Sequence, residues 1–239
     1  MGTMSTQASY VIPPPPRPTL AVVGSSQRFP VRRVWCVGRN YVEHIREMGQ
    51  DERAPPFFFA KPADALVSDG STVPYPPLTQ DLHFEVELVV ALKGGGRAIE
   101  PDHAVDLIYG YAVGIDLTRR DLQIAAREIK RPWEIGKAFD ASAPCSALRP
   151  AAEIGHPAKG RIELRRNATL CQDGDLGQMI WRVPEVIAQL STQVELLPGD
   201  VIFTGTPSGV GPTVAGDELS AQIEGVGTLR VTIGPRAAS

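Results

Sequence analysis

This sequence predicts a sheet-dominated α+β fold, and three observations carry that prediction. Glycine and proline supply 23 and 22 of the 239 residues, well above the roughly 12% of an average chain, so turns are frequent. The apolar stretches are short and β-rich, with period-two alternation in place of long helical stripes. Strands and helices do not alternate strictly, which argues against a doubly wound parallel sheet and for a mixed or antiparallel one. The length suits one large domain or two small ones.

The elements follow in chain order. Pro13, Pro14, Pro15, Pro16 and Pro18 force an extended polyproline segment, so residues 1–18 read as an arm. The arm extends to residue 33, and residues 34–236 form a single body. Val34–Val37 is a buried strand ending at Gly38. Asn40 can cap a helix over Tyr41–Met48, stopped by Gly49. Phe57–Ala60 is a strand. Leu82–Leu92 alternates, with His83, Glu85 and Glu87 on one face and Phe84, Val86 and Leu88 on the other, until Gly94-Gly95-Gly96 ends it. Leu107–Asp116 is a further strand. Thr118 and Asp121 have capping-box spacing for a helix to about Ile129. Arg161–Leu170 reads as part of a hairpin around Asn167. Pro184 suits the first turn of a helix reaching Thr192. Pro198-Gly199-Asp200 is a turn before strand Val201–Thr204, and two last strands flank Gly225-Val226-Gly227.

Composition excludes several function classes. Lys and Arg total 24 against 27 Asp and Glu, for a formal charge of −3. Such a balanced chain has no basic stripe, so nucleic acid and anionic membranes are not expected partners. No apolar run approaches 18 residues, so no membrane span is expected, and the N-terminus shows no secretory pattern. Cys36, Cys145 and Cys171 are odd in number and widely spaced. That predicts reduced thiols in a cytoplasmic protein, with neither a disulfide framework nor a zinc ribbon.

The sharpest chemical feature is Glu85 with Glu87. Residues i and i+2 of a strand share a face, and two adjacent carboxylates on an apolar strand repel each other. A cation removes that penalty, and oxygen ligands suit Mg²⁺ or Mn²⁺ better than zinc. The alternative is a water-facing strand edge. Asp116 adds a third carboxylate where a strand meets a helix, a place that also suits a helix cap. His44 and Glu47 lie three apart on one helical face. There a carboxylate can orient an imidazole for proton transfer, or the pair can belong to an exposed amphipathic turn. Thr204-Gly205-Thr206-Pro207-Ser208-Gly209 is a glycine-rich loop without the lysine of a phosphate-binding P-loop.

These segments occur together in one order: Val37-Gly38-Arg39-Asn40-Tyr41, His44 and Glu47, His83-Phe84-Glu85-Val86-Glu87, Gly114-Ile115-Asp116-Leu117-Thr118-Arg119-Arg120-Asp121, Gly136-Lys137, and Thr204-Gly205-Thr206-Pro207. In that order the chain resembles the fumarylacetoacetate hydrolase family over about residues 34–234, and its short acylpyruvate-cleaving members in particular. The resemblance implies a mixed β-roll with flanking short helices, a homodimer, and one Mg²⁺ or Mn²⁺ on Glu85, Glu87 and Asp116. It implies that His44 and Glu47 activate water and that Lys137 is catalytic. Arg120, Gln123, Thr204 and Thr206 are the implied substrate contacts. The implied reaction is hydrolysis of the C–C bond of a β-diketo acid, foremost fumarylpyruvate to fumarate and pyruvate. The alternative is an oxaloacetate decarboxylase or an oxo-diacid decarboxylase/isomerase. Only hydrolysis needs an activated water, so His44 and Glu47 favour it. For the second carboxylate of such a substrate, Arg120, Lys130 and Arg131 are the candidate partners.

Overall fold

A computed structural model describes residues 9–41 and 53–236. Its largest sheet is mixed. It runs β4 (Phe57–Lys61), β3 (Arg33–Gly38), β15 (Asp200–Phe203), β8 (Val86–Leu92), β9 (Ile108–Ile115), β11 (Ala143–Cys145) and β5 (Leu66–Ser68), with β12 (Arg149–Pro150) also on β9. The β3–β15 and β5–β11 pairs are parallel, whereas β8 is antiparallel to both its neighbours. A second sheet runs β14 (Thr169–Asp175), β13 (Arg161–Arg166), β17 (Glu218–Ile223), β18 (Gly227–Arg236) and β6 (Thr72–Tyr75). A small sheet joins β10 (Thr118–Arg119), β7 (Leu82–Phe84) and β16 (Gly211–Thr213), and the hairpin β1 (Thr19–Ala21) with β2 (Arg28–Pro30) stands apart. The helices are α1 (Pro101–Ala104), α2 (Arg120–Glu128), α3 (Glu134–Lys137), α4 (Ala151–Ile154) and α5 (Val183–Gln193). Among the described residues, no helix is long and apolar enough to cross a membrane.

Alternation along the central strands divides the core in two. Leu88 and Val90 of β8, with Val113 and Ile115 of β9, face Ile162, Leu164, Leu219, Ala221 and Val231 of the second sheet and Ile187 and Leu190 of α5. Val89, Ala91 and Ala112 point the other way, onto Leu20, Phe29 and Val31 from the N-terminal hairpin and onto Val201 and Phe203. Both faces of the main sheet are therefore covered, and all seven residues of β8 are buried.

Local sequence explains most of the boundaries. The β13–β14 turn is Asn167-Ala168 with both φ positive (48° and 67°), the backbone a two-residue hairpin needs. Pro184 stands in the first turn of α5, where its missing N–H goes unused, and the Glu185 carboxylate accepts from the Arg182 amide at 2.9 Å. Three expectations are corrected. Leu82–Leu92 is two strands, broken at Glu85, because β7 pairs with β10 and β16 while β8 pairs with β9 and β15. Thr118 does not cap a helix; it lies in β10 opposite His83, and Asp121 instead accepts from the Thr79 hydroxyl and the Gln80 amide. The C-terminal segment adds a third short strand, β16, before the expected pair. The helix expected over Tyr41–Met48 lies, beyond Tyr41, outside the described residues, and His44 and Glu47 fall there with it. Tyr41 itself bridges to Met179.

Candidate active site

Register builds the acidic cluster. Glu87 pairs with Gly114 and Val86 with Ile115. Extending this register by one step sets Glu85 opposite Asp116, and the Asp116 amide donates to the Glu85 carbonyl at 2.8 Å. Glu85, Glu87 and Asp116 thus share one face, on the side of Val89 and Ala112. Gly114 has no side chain to intrude, because a Cβ there would meet Phe203 and Val89 at 2.5 Å. One oxygen from each carboxylate lies within 4.8 Å of the others. The residues are 8%, 2% and 0% exposed, which removes the water-facing alternative.

Charges surround the triad. The Lys137 ammonium lies 2.9 Å from Glu85 Oε2 and 2.7 Å from Asp116 Oδ2, and donates to Thr118 Oγ1 at 2.6 Å. Arg120 Nη2 pairs with Glu85 Oε1, and its Nη1 donates to Gln123 Oε1 at 2.5 Å. Burial pushes the Glu85 carboxyl up, but Lys137 and Arg120 outweigh it and hold the group well below its ordinary range. Glu87 goes the other way, raised by burial and then by repulsion from Asp116 and Glu85. Burial opposes the Lys137 charge, yet Asp116 and Glu85 keep it firmly protonated.

Further residues complete the arrangement, and two of them, Lys61 and Gln172, were not singled out in the sequence. Lys61, at the end of β4, is buried with its Nζ 2.9 Å from Asp116 Oδ1. Its hydrogen bonds go to the carbonyls of Leu117 and Lys137. Asp116 Oδ1 is consequently a buried carboxylate oxygen without a well-aimed hydrogen bond. The Gly205 amide donates to Glu87 Oε2 at 2.7 Å. Gln172 accepts from the Val86 amide and donates to the Thr206 hydroxyl and the Pro207 carbonyl, tying the glycine-rich loop to β8. Asn40 clamps the Thr204 and Trp181 backbones. A lysine closing a run of three phenylalanines was the one signal for Lys61. Nothing local marked Gln172.

Glu85 and Glu87 line a cavity of about 240 Å³, and Asp116, fully buried, is not part of its lining. Arg120, Gln123, Lys137 and Thr206 line it, together with Arg39, Phe59, Ile124, Arg127 and Trp133. Thr204 does not: it is fully buried and its hydroxyl donates to the Leu88 carbonyl at 2.9 Å. Lys130 and Arg131 are also outside the lining. The donor set fits a hard divalent cation on two counts: three converging carboxylates, and an oxygen on Asp116 that, beside its ion pair with Lys61, accepts no hydrogen bond.

A covered mixed β-roll with a buried acidic triad and a lysine at the base of a cleft defines a candidate divalent-cation enzyme site. Residues 33–234 match the family model described as fumarylacetoacetate (FAA) hydrolase C-terminal, and the chain belongs to that family. It is 45% identical over 179 residues to the fumarylpyruvate hydrolase of a Ralstonia species, covering 75% of this chain and 93% of the relative. The crystal structure of fumarylpyruvate hydrolase from Pseudomonas aeruginosa in complex with Mn²⁺ and pyruvate superposes with a TM-score of 0.93 at 48% identity, covering 95% of this chain and all of that one. The mitochondrial oxaloacetate tautomerase of Homo sapiens is 39% identical over 204 residues, 82% of this chain and 92% of that protein.

Proposed function

We propose that this chain hydrolyses an acylpyruvate, with fumarylpyruvate giving fumarate and pyruvate. The convergence of Glu85, Glu87 and Asp116 with Lys137, beside a cavity that Glu85, Glu87 and Lys137 line, carries the reading. The similarity to proteins named fumarylpyruvate hydrolase supports it. Glu85, Glu87 and Asp116 would hold Mg²⁺ or Mn²⁺, which supplies Lewis-acid charge to the oxygens of a 2-oxo acid. Arg120 and Gln123, already bonded to each other, orient the acid end. In this reading His44, assisted by Glu47, takes a proton from water, and the hydroxide adds to the C4 carbonyl. The C3–C4 bond then breaks, its electron pair passing to the pyruvate enolate, whose developing negative charge the Lys137 ammonium stabilises. A proton added at C3 completes pyruvate. In this reading residues 34–236 are the catalytic body behind an arm of residues 1–33, and the protein is a cytoplasmic homodimer.

The likeness to the human oxaloacetate tautomerase favours a second reading, in which the same cluster acts on oxaloacetate. Product analysis separates the two. Incubation with Mn²⁺ and fumarylpyruvate should release equal fumarate and pyruvate, and Glu85→Ala should abolish that release. Conversion of oxaloacetate, with every acylpyruvate left intact, would replace hydrolysis by the second reading.

A further inference from the structure

The floor of the cavity accounts for one end of a substrate; its mouth has a separate chemistry. Arg120, Gln123, Ile124 and Arg127 all line the cavity, and their spacing is i, i+3, i+4, i+7 on α2, a single helical face. At about 1.5 Å rise per residue, Arg127 stands roughly 10 Å along the helix from Arg120, which is anchored on Glu85. That separation is comparable to the extended length of a seven-carbon diacid. The lining also carries apolar side chains, Ile124 on this helical face together with Phe59 and Trp133. Across the mouth is Arg39, a non-glycine residue in the left-handed region (φ 59°) directly after β3. Such a backbone is uncommon and clusters at ligand sites. Arg39 and Arg127 line the same cavity, so two guanidiniums share one space. Guanidinium geometry suits a carboxylate held in that space.

We propose that Arg127, with Arg39 across the mouth, binds the distal carboxylate of the substrate and so selects dicarboxylic over monocarboxylic acylpyruvates. Arg120, Lys130 and Arg131 are not needed for that role: the first is engaged with Glu85 and Gln123, and the other two lie outside the cavity lining. The inference rests on the proposed acylpyruvate substrate class, so its test includes a readout independent of cleavage. Calorimetric titration of the Mn²⁺-loaded protein compares 2-oxoheptanedioate with 2-oxoheptanoate, which differ only in the terminal carboxylate. The unaltered protein should bind the diacid about 10- to 100-fold more tightly, the range of a charge-assisted hydrogen bond. Arg127→Ala should erase that preference, Arg127→Lys should retain part of it, and Arg39→Gln should weaken it. In turnover, Arg127→Ala should lower the kcat/KM ratio of fumarylpyruvate to acetylpyruvate by a similar factor. Equal affinity for the two probes, or a preference that survives both Arg127→Ala and Arg39→Gln, overturns the subsite. Diacid preference through Arg127 without cleavage of any acylpyruvate supports the subsite and overturns the hydrolase reading instead.

Discussion

Lys137 shows how a single side chain can serve both stability and chemistry. Its ammonium neutralises two buried carboxylates, and removing one partner of a buried ion pair is far more damaging than replacing both. Lys137→Met should lower turnover about 10²- to 10³-fold. It should also destabilise the cation-free protein by roughly 3–5 kcal/mol, read by urea unfolding. Added Mn²⁺ should restore the stability but not the activity. Asp217 gives a pH signature well away from the site. Burial pushes its carboxyl up, but hydrogen bonds from the Val214 amide, Asn167 and Thr213 outweigh burial and hold it below its ordinary value. A depressed acid contributes stability above its unfolded pKa and loses it as pH falls through the folded one. Asp217→Ala should therefore cost about 1–3 kcal/mol near pH 7. The gap from the unaltered protein should narrow below about pH 4, in unfolding curves taken across the acid range.

Among the elements, the loop after β15 tolerates little change at Gly205. Gly205 has φ 92°, and a Cβ there would come within 2.7 Å of the Asn40 Cβ. Because its amide holds Glu87, Gly205→Ala should displace that carboxylate and weaken Mn²⁺ binding about 10- to 100-fold by calorimetry. The glycine-rich composition of this loop was legible in the sequence, but its purpose was not. It read as a glycine-rich loop without a P-loop lysine, whereas the Gly205 amide is spent on the Glu87 side chain. The strand through Glu85 and Glu87 was legible for a firmer reason, since period two places both carboxylates on one face whatever the tertiary context. What alternation could not show was the break at Glu85. The pattern runs unbroken through residues 82–92, and only pairing with β10, β16, β9 and β15 decides where one sheet ends and the next begins. Capping-box spacing at Thr118 misled for a related reason, because strand pairing with β7 took the residue first. Lys61 stayed hidden since its meaning depends on Asp116, 55 positions away in sequence.

At the scale of the whole molecule, three buried carboxylates make folding and cation binding one coupled equilibrium. A ligand bound by the native state alone stabilises by RT ln(1 + [L]/Kd), about 2.7 kcal/mol at one hundred times Kd. The Tm should therefore climb with Mn²⁺ concentration and fall back with a chelator, and Glu87→Gln should flatten that climb. The main chain adds a constraint of its own. Asp116 is bonded to Glu85 through its amide, Gly205 grips Glu87, and Thr204 returns its amide to Leu88. The three acids thus hang from one stitched piece of backbone, and the cage they form has a size fixed before any ion arrives. Size then becomes a filter. Mg²⁺ accepts oxygens at about 2.0–2.1 Å, whereas Ca²⁺ asks for six to eight at about 2.3–2.6 Å. Ca²⁺ should compete poorly with Mn²⁺ in equilibrium dialysis. In a cell where Ca²⁺ rises and falls, this frame would leave the site indifferent to the signal.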